Sequence, residues 1–184
     1  MTDMAHTPSS KERLLKATAR LLSERGYDGV GLAQIVEAAN TTTGSLYFHF
    51  PEGKEALAVA SIDAAAEGRR KRIAEALAIG GPAEIAKLWA DYLESSNWAV
   101  GCPVTATTLQ MSTRSEALRQ AGQRAFDLWQ GEIAKYLATA KNGTRDVNLA
   151  ARQILCLLQG AEVIARTSRS RRPLDEAAQA VGLL

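Results

Sequence analysis

Apolar positions recur along most of this chain at spacings of three and four, the pattern of helices that each bury one face. The first stripe is Leu14, Ala17, Thr18, Leu21 and Leu22. Ser9, three residues ahead of Glu12, forms a capping box at its start, and Gly26 supplies the stop. A short helix with Leu32, Ile35, Val36 and Ala39 on one face comes next. A second short helix follows Asn40-Thr41-Thr42 and turns Leu46 and Phe50 inward, until Pro51-Glu52-Gly53 breaks it. A long helix is then predicted over residues 54–78.

Gly80-Gly81-Pro82 marks the next break, and Pro82 suits the first turn of a helix, where an N–H has no intrahelical partner. That helix carries Ile85, Leu88, Trp89, Tyr92, Leu93 and Ser96 inward. Gly101-Cys102-Pro103 precedes a short helix over residues 104–111. A longer one opens at Ser115 and Glu116, turns Leu118, Ala121, Ala125, Trp129, Ile133, Tyr136 and Leu137 inward, and closes at Asn142-Gly143. Residues 146–166 form the most apolar helix. Its Leu149, Ile154, Leu155, Leu157, Leu158, Ala161 and Ile164 spread round most of the circumference, more than one buried face needs. A basic loop over 169–173 leads to a last helix over 174–181. The pattern predicts an all-α chain of about nine helices: a three-helix headpiece (residues 1–53) and a larger helical domain (54–184).

Two short helices joined by a tight turn can offer the second of them to the major groove of DNA. The exposed positions of that second helix are Thr43, Gly44, Ser45, Tyr47 and His49. Short side chains at its start allow close approach to base edges, while Tyr and His reach phosphate oxygens. Thr41 and Thr42 stand at the cap, where a hydroxyl can also meet phosphate. The same residues also suit an ordinary helix pair in which Tyr47 and His49 are plain surface.

Charge does not decide the matter. The chain carries a formal +2, and residues 1–56 hold six basic side chains against seven acidic ones. The run Arg69-Arg70-Lys71-Arg72 resembles a nucleic-acid patch, but late in a long helix it reads better as a solvated face. Arg166, Arg169, Arg171 and Arg172 read the same way.

The string Ala39-Asn40-Thr41-Thr42-Thr43-Gly44-Ser45-Leu46-Tyr47-Phe48-His49-Phe50, with Lys54-Glu55-Ala56-Leu57 after it, resembles the TetR family of bacterial regulators. The resemblance spans about a quarter of the chain, and its Gly-Ser-Leu-Tyr-x-His-Phe core is specific. The extra residue in Phe50-Pro51-Glu52-Gly53-Lys54, together with Gly101-Cys102-Pro103-Val104, is similar to a subgroup that includes repressors of lincomycin-resistance and flavonoid-response genes. The resemblance implies that Thr42, Thr43 and Ser45 face the groove, and that Thr41, Tyr47, His49 and Lys54 face phosphates. Gly31 stands where the family commonly has Thr, which removes one usual contact; Gln34 is a weaker candidate. The resemblance further implies a homodimer through the two C-terminal helices, bound to double-stranded operator DNA, and a small-molecule effector.

Trp89, Tyr92, Trp98, Phe126 and Trp129 concentrate the aromatics in the middle helices. They suit core packing, or the wall of an apolar pocket with Thr105, Thr108 and Gln110 as polar points. Cys102 reads as a structural thiol and Cys156 as core. His49 is the only histidine besides His6 in the N-terminal tail, so no Ser/His/Asp or Cys/His arrangement is available for catalysis, and no metal or cofactor is expected. No apolar leader opens the chain and no tract reaches the roughly 20 apolar residues of a membrane span. The expectation is a cytoplasmic, ligand-released repressor that is not an enzyme. A ligand-independent DNA-binding regulator is the alternative.

Overall fold

Ser9 accepts a hydrogen bond from Glu12 N while Glu12 reaches back to Ser9 N, so the predicted capping box starts the first helix. The computed structural model describes residues 8–139 and 146–182. His6 and the stop at Asn142-Gly143 lie outside them. The described residues hold nine helices and no strand: α1 (Ser10–Arg25), α2 (Leu32–Ala38), α3 (Thr43–His49), α4 (Lys54–Gly80), α5 (Pro82–Ser95), α6 (Pro103–Met111), α7 (Glu116–Thr139), α8 (Val147–Ser168) and α9 (Arg172–Val181). The all-α reading holds.

The chain divides into two units, one built from Met1–Ala65 with Pro103–Gly122, the other from Ala66–Cys102 with Gln123–Leu184. In the first, Leu14, Ala17, Leu21, Val30, Ile35, Ala39, Leu46, Phe50 and Leu57 form one apolar cluster. Each large member contributes roughly 1.5–3 kcal/mol by leaving water. Arg13 straps α1 to the α2–α3 turn, donating through Nε to Ala39 O at 3.0 Å and through Nη2 to Asn40 O at 3.4 Å. α6 packs on α1. The turn after α1 is held by the same stretch of chain: Gln110 Oε1 accepts from Tyr27 N at 2.6 Å, and Arg114 grips both oxygens of Asp28 at 2.6 and 3.2 Å.

In the second unit α9 lies against α5 and α8. One side of α8 buries Ala151, Ile154, Leu155, Leu158 and Ala165, whereas Leu149, Leu157, Val163 and Ile164 are exposed. Cys156 is exposed with them and is not core. A helix apolar on all sides cannot bury all of them within one chain. Tyr92 is also exposed, because Ile85, Ala86, Trp89, Ala90 and Leu93 make the inner side of α5. The basic segment is shorter than a five-residue loop, since α9 begins at Arg172. Arg171 pairs with Asp91, Glu94 and Asp175.

The charge run in α4 also departs from expectation. Arg69 is buried, in register with the buried Ile62, Ala66 and Ile73. Its Nη2 donates to Glu162 Oε2 at 2.8 Å, and its guanidinium lies 3.7 Å from the centroid of the Trp89 ring and 5.1 Å from that of Trp129. Burial works to lower the Arg69 pKa, but Glu162 and Cys102 outweigh it and the net shift is upward. Arg70 pairs with Glu67 and Glu132, leaving Lys71 and Arg72 on the exposed face that the whole run was expected to occupy.

Candidate nucleic-acid interface

The turn between α2 and α3 depends on Asn40, whose φ of 46° lies in the left-handed region that Asn tolerates better than most residues. Thr42 then caps α3, its hydroxyl accepting from Ser45 N at 3.1 Å. Gln34 reaches back to cap α2, accepting from Gly31 N at 2.9 Å, so its carbonyl oxygen is already engaged.

At about 100° per residue, the faces of α3 follow from Leu46 and Phe50, both buried. Phe48 lies on the opposite side, with Gly44 and Ser45 one turn behind it. Tyr47 and His49 flank that outward strip. Thr42, Thr43, Gly44 and Tyr47 are exposed, and Thr41, Ser45 and His49 are half-buried. A Cβ on Gly44 would meet nothing nearer than Thr42 Oγ1 at 3.8 Å, so packing within the protein does not call for glycine there.

Two phosphate candidates carry internal bonds. His49 Nε2 is hydrogen-bonded to Ser10 Oγ at 2.9 Å, tying the end of α3 to the start of α1. Lys54 Nζ donates to Tyr27 O at 2.8 Å and sits 4.1 Å from the Tyr27 ring centroid. Burial lowers the Lys54 pKa, with Asp28 acting the other way. Tyr47 has no such tether and is 48 % exposed.

The aromatic residues of the second unit separate into two groups. Trp89 and Trp129 are buried around Arg69, and Phe126 meets Trp129 edge to face at 5.6 Å. Trp129 Nε1 donates to Ala66 O at 2.9 Å, so its polar atom is already satisfied. Tyr92 is exposed and Trp98 half-buried; Arg166 donates to Trp98 O and Ala99 O. Thr105 and Thr108 belong to the first unit, where the Thr108 hydroxyl is buried without a hydrogen-bond partner. Gln110, the third polar candidate, is spent on the turn after α1. Sequence reasoning missed Arg69, although its spacing of seven from Ile62 and four from Ile73 places it on the buried stripe.

Residues 14–60 match the family described as bacterial regulatory proteins, tetR family, and residues 78–180 match the C-terminal domain of LmrA/YxaF-like transcriptional regulators. The chain is 30 % identical over 170 residues to the HTH-type transcriptional regulator LmrA of Bacillus subtilis, covering 90 % of each. It superposes on the reduced form of Escherichia coli NemR with a TM-score of 0.76 at 26 % identity, over 94 % of this chain and 95 % of that one. A TetR regulatory protein from Rhodobacter sphaeroides shares the fold, with a TM-score of 0.82 at 22 % identity over 94 % and 97 % of the two chains. A helix-turn-helix with its small and hydroxyl residues turned outward thus sits in a chain whose two parts match one lineage; it belongs to the TetR family of DNA-binding transcriptional regulators, with an LmrA/YxaF-like C-terminal domain.

Proposed function

We propose that the chain is a homodimeric repressor that binds a palindromic operator through α3 and is released by a small, largely apolar molecule held in the second unit. The observation that carries the DNA part is the outward strip of α3, where Gly44 is small without any packing need inside the protein. Thr42, Thr43 and Ser45 are assigned to base edges and Thr41, Tyr47, His49 and Lys54 to phosphates. The NemR relative is called a transcriptional repressor, which supports the same direction of control.

The dimer reading rests on α8. By length and composition this helix could cross a membrane. Its polar residues argue for a protein partner: Arg152, Gln153, Gln159, Glu162 and Arg166 interrupt it. A second copy that covers Leu149, Cys156, Leu157 and Ile164 removes the exposed stripe from water. Two headpieces then face successive turns of the duplex, which is what a palindrome demands.

The effector reading rests on Trp89 and Trp129 gathered round a buried ion pair with Phe126 against Trp129, and Tyr92 and Trp98 as further contacts within the second unit. A ligand acts only if it binds the DNA-competent and released forms unequally. One observation favours a ligand-independent regulator instead: Trp129 has no exposed surface and its indole N–H is spent within the protein.

A duplex selected from a randomised pool by the full-length protein tests the first part, in a mobility-shift titration. Tyr47→Ala should weaken binding to every sequence alike, since phosphate contacts carry no sequence information. Unchanged affinity at moderate salt sinks the α3 assignment. Planar aromatic compounds, flavonoid-like ones first, should quench tryptophan fluorescence and dissociate the duplex together. If none does, the ligand-independent reading stands.

A further inference from the structure

Phe48 is 82 % exposed, on a helix whose neighbours Leu46 and Phe50 are both buried. It stands about 160° round the helix from each of them, at roughly 100° per residue. No residue of α3 points more squarely away from the protein. Gly44 and Ser45, one turn back on the same strip, are small and leave the ring proud. Tyr47 and His49 lie about 100° to either side, and His49 meets the Phe48 ring edge-on at 5.0 Å between centroids, which braces it.

A benzyl side chain has no hydrogen-bond donor or acceptor, so it gains nothing from phosphate oxygens or from the polar atoms of base edges. The major groove offers one apolar group, the C5-methyl of thymine. On the phosphate assignment proposed above for Tyr47 and His49, which flank it, the centre of the strip would meet the floor of the groove. We propose that Phe48 is a specificity-determining residue that reads a thymine methyl in each half-site. This rests on the assignment of α3 to the major groove and names what one of its residues recognises there.

The test uses the full-length protein and a duplex that it selects from a randomised pool. Each thymine is replaced in turn by deoxyuridine, which removes the methyl and leaves the pairing unchanged. At one thymine per half-site, affinity should fall about fourfold per methyl removed, the fold-change expected for one buried methyl-sized group. Phe48→Ala should bind the parent duplex more weakly and lose that sensitivity, whereas Phe48→Leu should keep part of it. Equal melting midpoints establish that the variants are folded; Phe48 has no core role to lose. The proposal is overturned if no deoxyuridine substitution affects the parent, if Phe48→Ala is as sensitive as the parent, or if the selected half-site contains no thymine. A parent protein that binds no duplex at all overturns the α3 assignment as well, which separates the two failures.

Discussion

Arg69 and Glu162 meet at 2.8 Å with side chains only 10 % and 5 % exposed, a charged pair linking α4 to α8 inside one unit. The guanidinium also stacks on Trp89 and leaves its Nε without a partner. Both charges have lost their water, so each depends on the other.

Removing one of them should therefore cost far more than replacing both. Glu162→Ala is expected to destabilise the fold by about 3–5 kcal/mol, because it leaves a guanidinium buried and unpaired. Arg69→Met combined with Glu162→Leu should recover most of that loss, since an apolar pair carries no desolvation cost. Urea titrations of the three proteins decide it. A single-variant loss below about 1 kcal/mol would show that water reaches the site.

Gly44→Ala should move stability and DNA affinity in opposite directions. A helical Ala is more favourable than Gly by roughly 0.5–1 kcal/mol, and the new methyl meets open space in the protein. Against a duplex the same methyl stands on the outward strip and blocks close approach. The expected result is a higher melting midpoint with weaker operator binding. Unchanged affinity would remove Gly44 from the interface.

On α8, Leu157 and Leu158 should respond differently to the same change. Leu158 has no exposed surface, so Leu158→Arg buries an unpaired charge in the chain's own core and should prevent folding. Leu157 is 37 % exposed, so Leu157→Arg should leave the fold intact and split the dimer. Light scattering gives the mass of each folded variant. A dimeric Leu157→Arg protein excludes that position from the interface.

His49→Ala is a poor probe of phosphate contact, because the substitution also breaks the bond to Ser10. Ser10→Ala removes that bond while keeping the imidazole. If His49 serves DNA directly, His49→Ala should lower affinity well beyond Ser10→Ala in the same mobility-shift assay. Equal losses would make His49 a strut between α3 and α1 and nothing more.

Local punctuation was readable in the sequence. Ser9 with Glu12, Gly26 and Pro82 act within a turn or two of their own position, and each stands at the predicted helix end. The outward face of α3 was readable only in part: Thr43, Gly44 and Tyr47 are exposed as expected, but Ser45 and His49 are half-buried, and Phe48, 82 % exposed, was not among the expected outward positions. Burial that depends on what another helix brings was not. Arg69 looks solvated among its charged neighbours until Glu162, 93 residues on, supplies the counter-charge. Cys156 looks like core because the stripe around it is apolar, yet the apolar circumference of α8 exceeds what one chain covers. Tyr92 fits the inward spacing of α5, but Ala86, Ala90 and Leu93 draw the centre of the inner side about a quarter of a turn away from it.

The strapping of the turn after α1 by Gln110 and Arg114 bears on how the headpiece comes into being. Its contacts join positions 83 and 86 residues apart, so they cannot form while only the helix-turn-helix has been made. A nascent chain lengthening at roughly 5–20 residues per second shows α1–α3 for several seconds before the stretch that covers α1 exists. The helix-turn-helix is thus begun first and completed after more than half of the chain has been synthesised. A product truncated before Pro103 lacks α6 and leaves one side of α1 bare, and that bare side is where such a fragment meets chaperones or other unfinished chains.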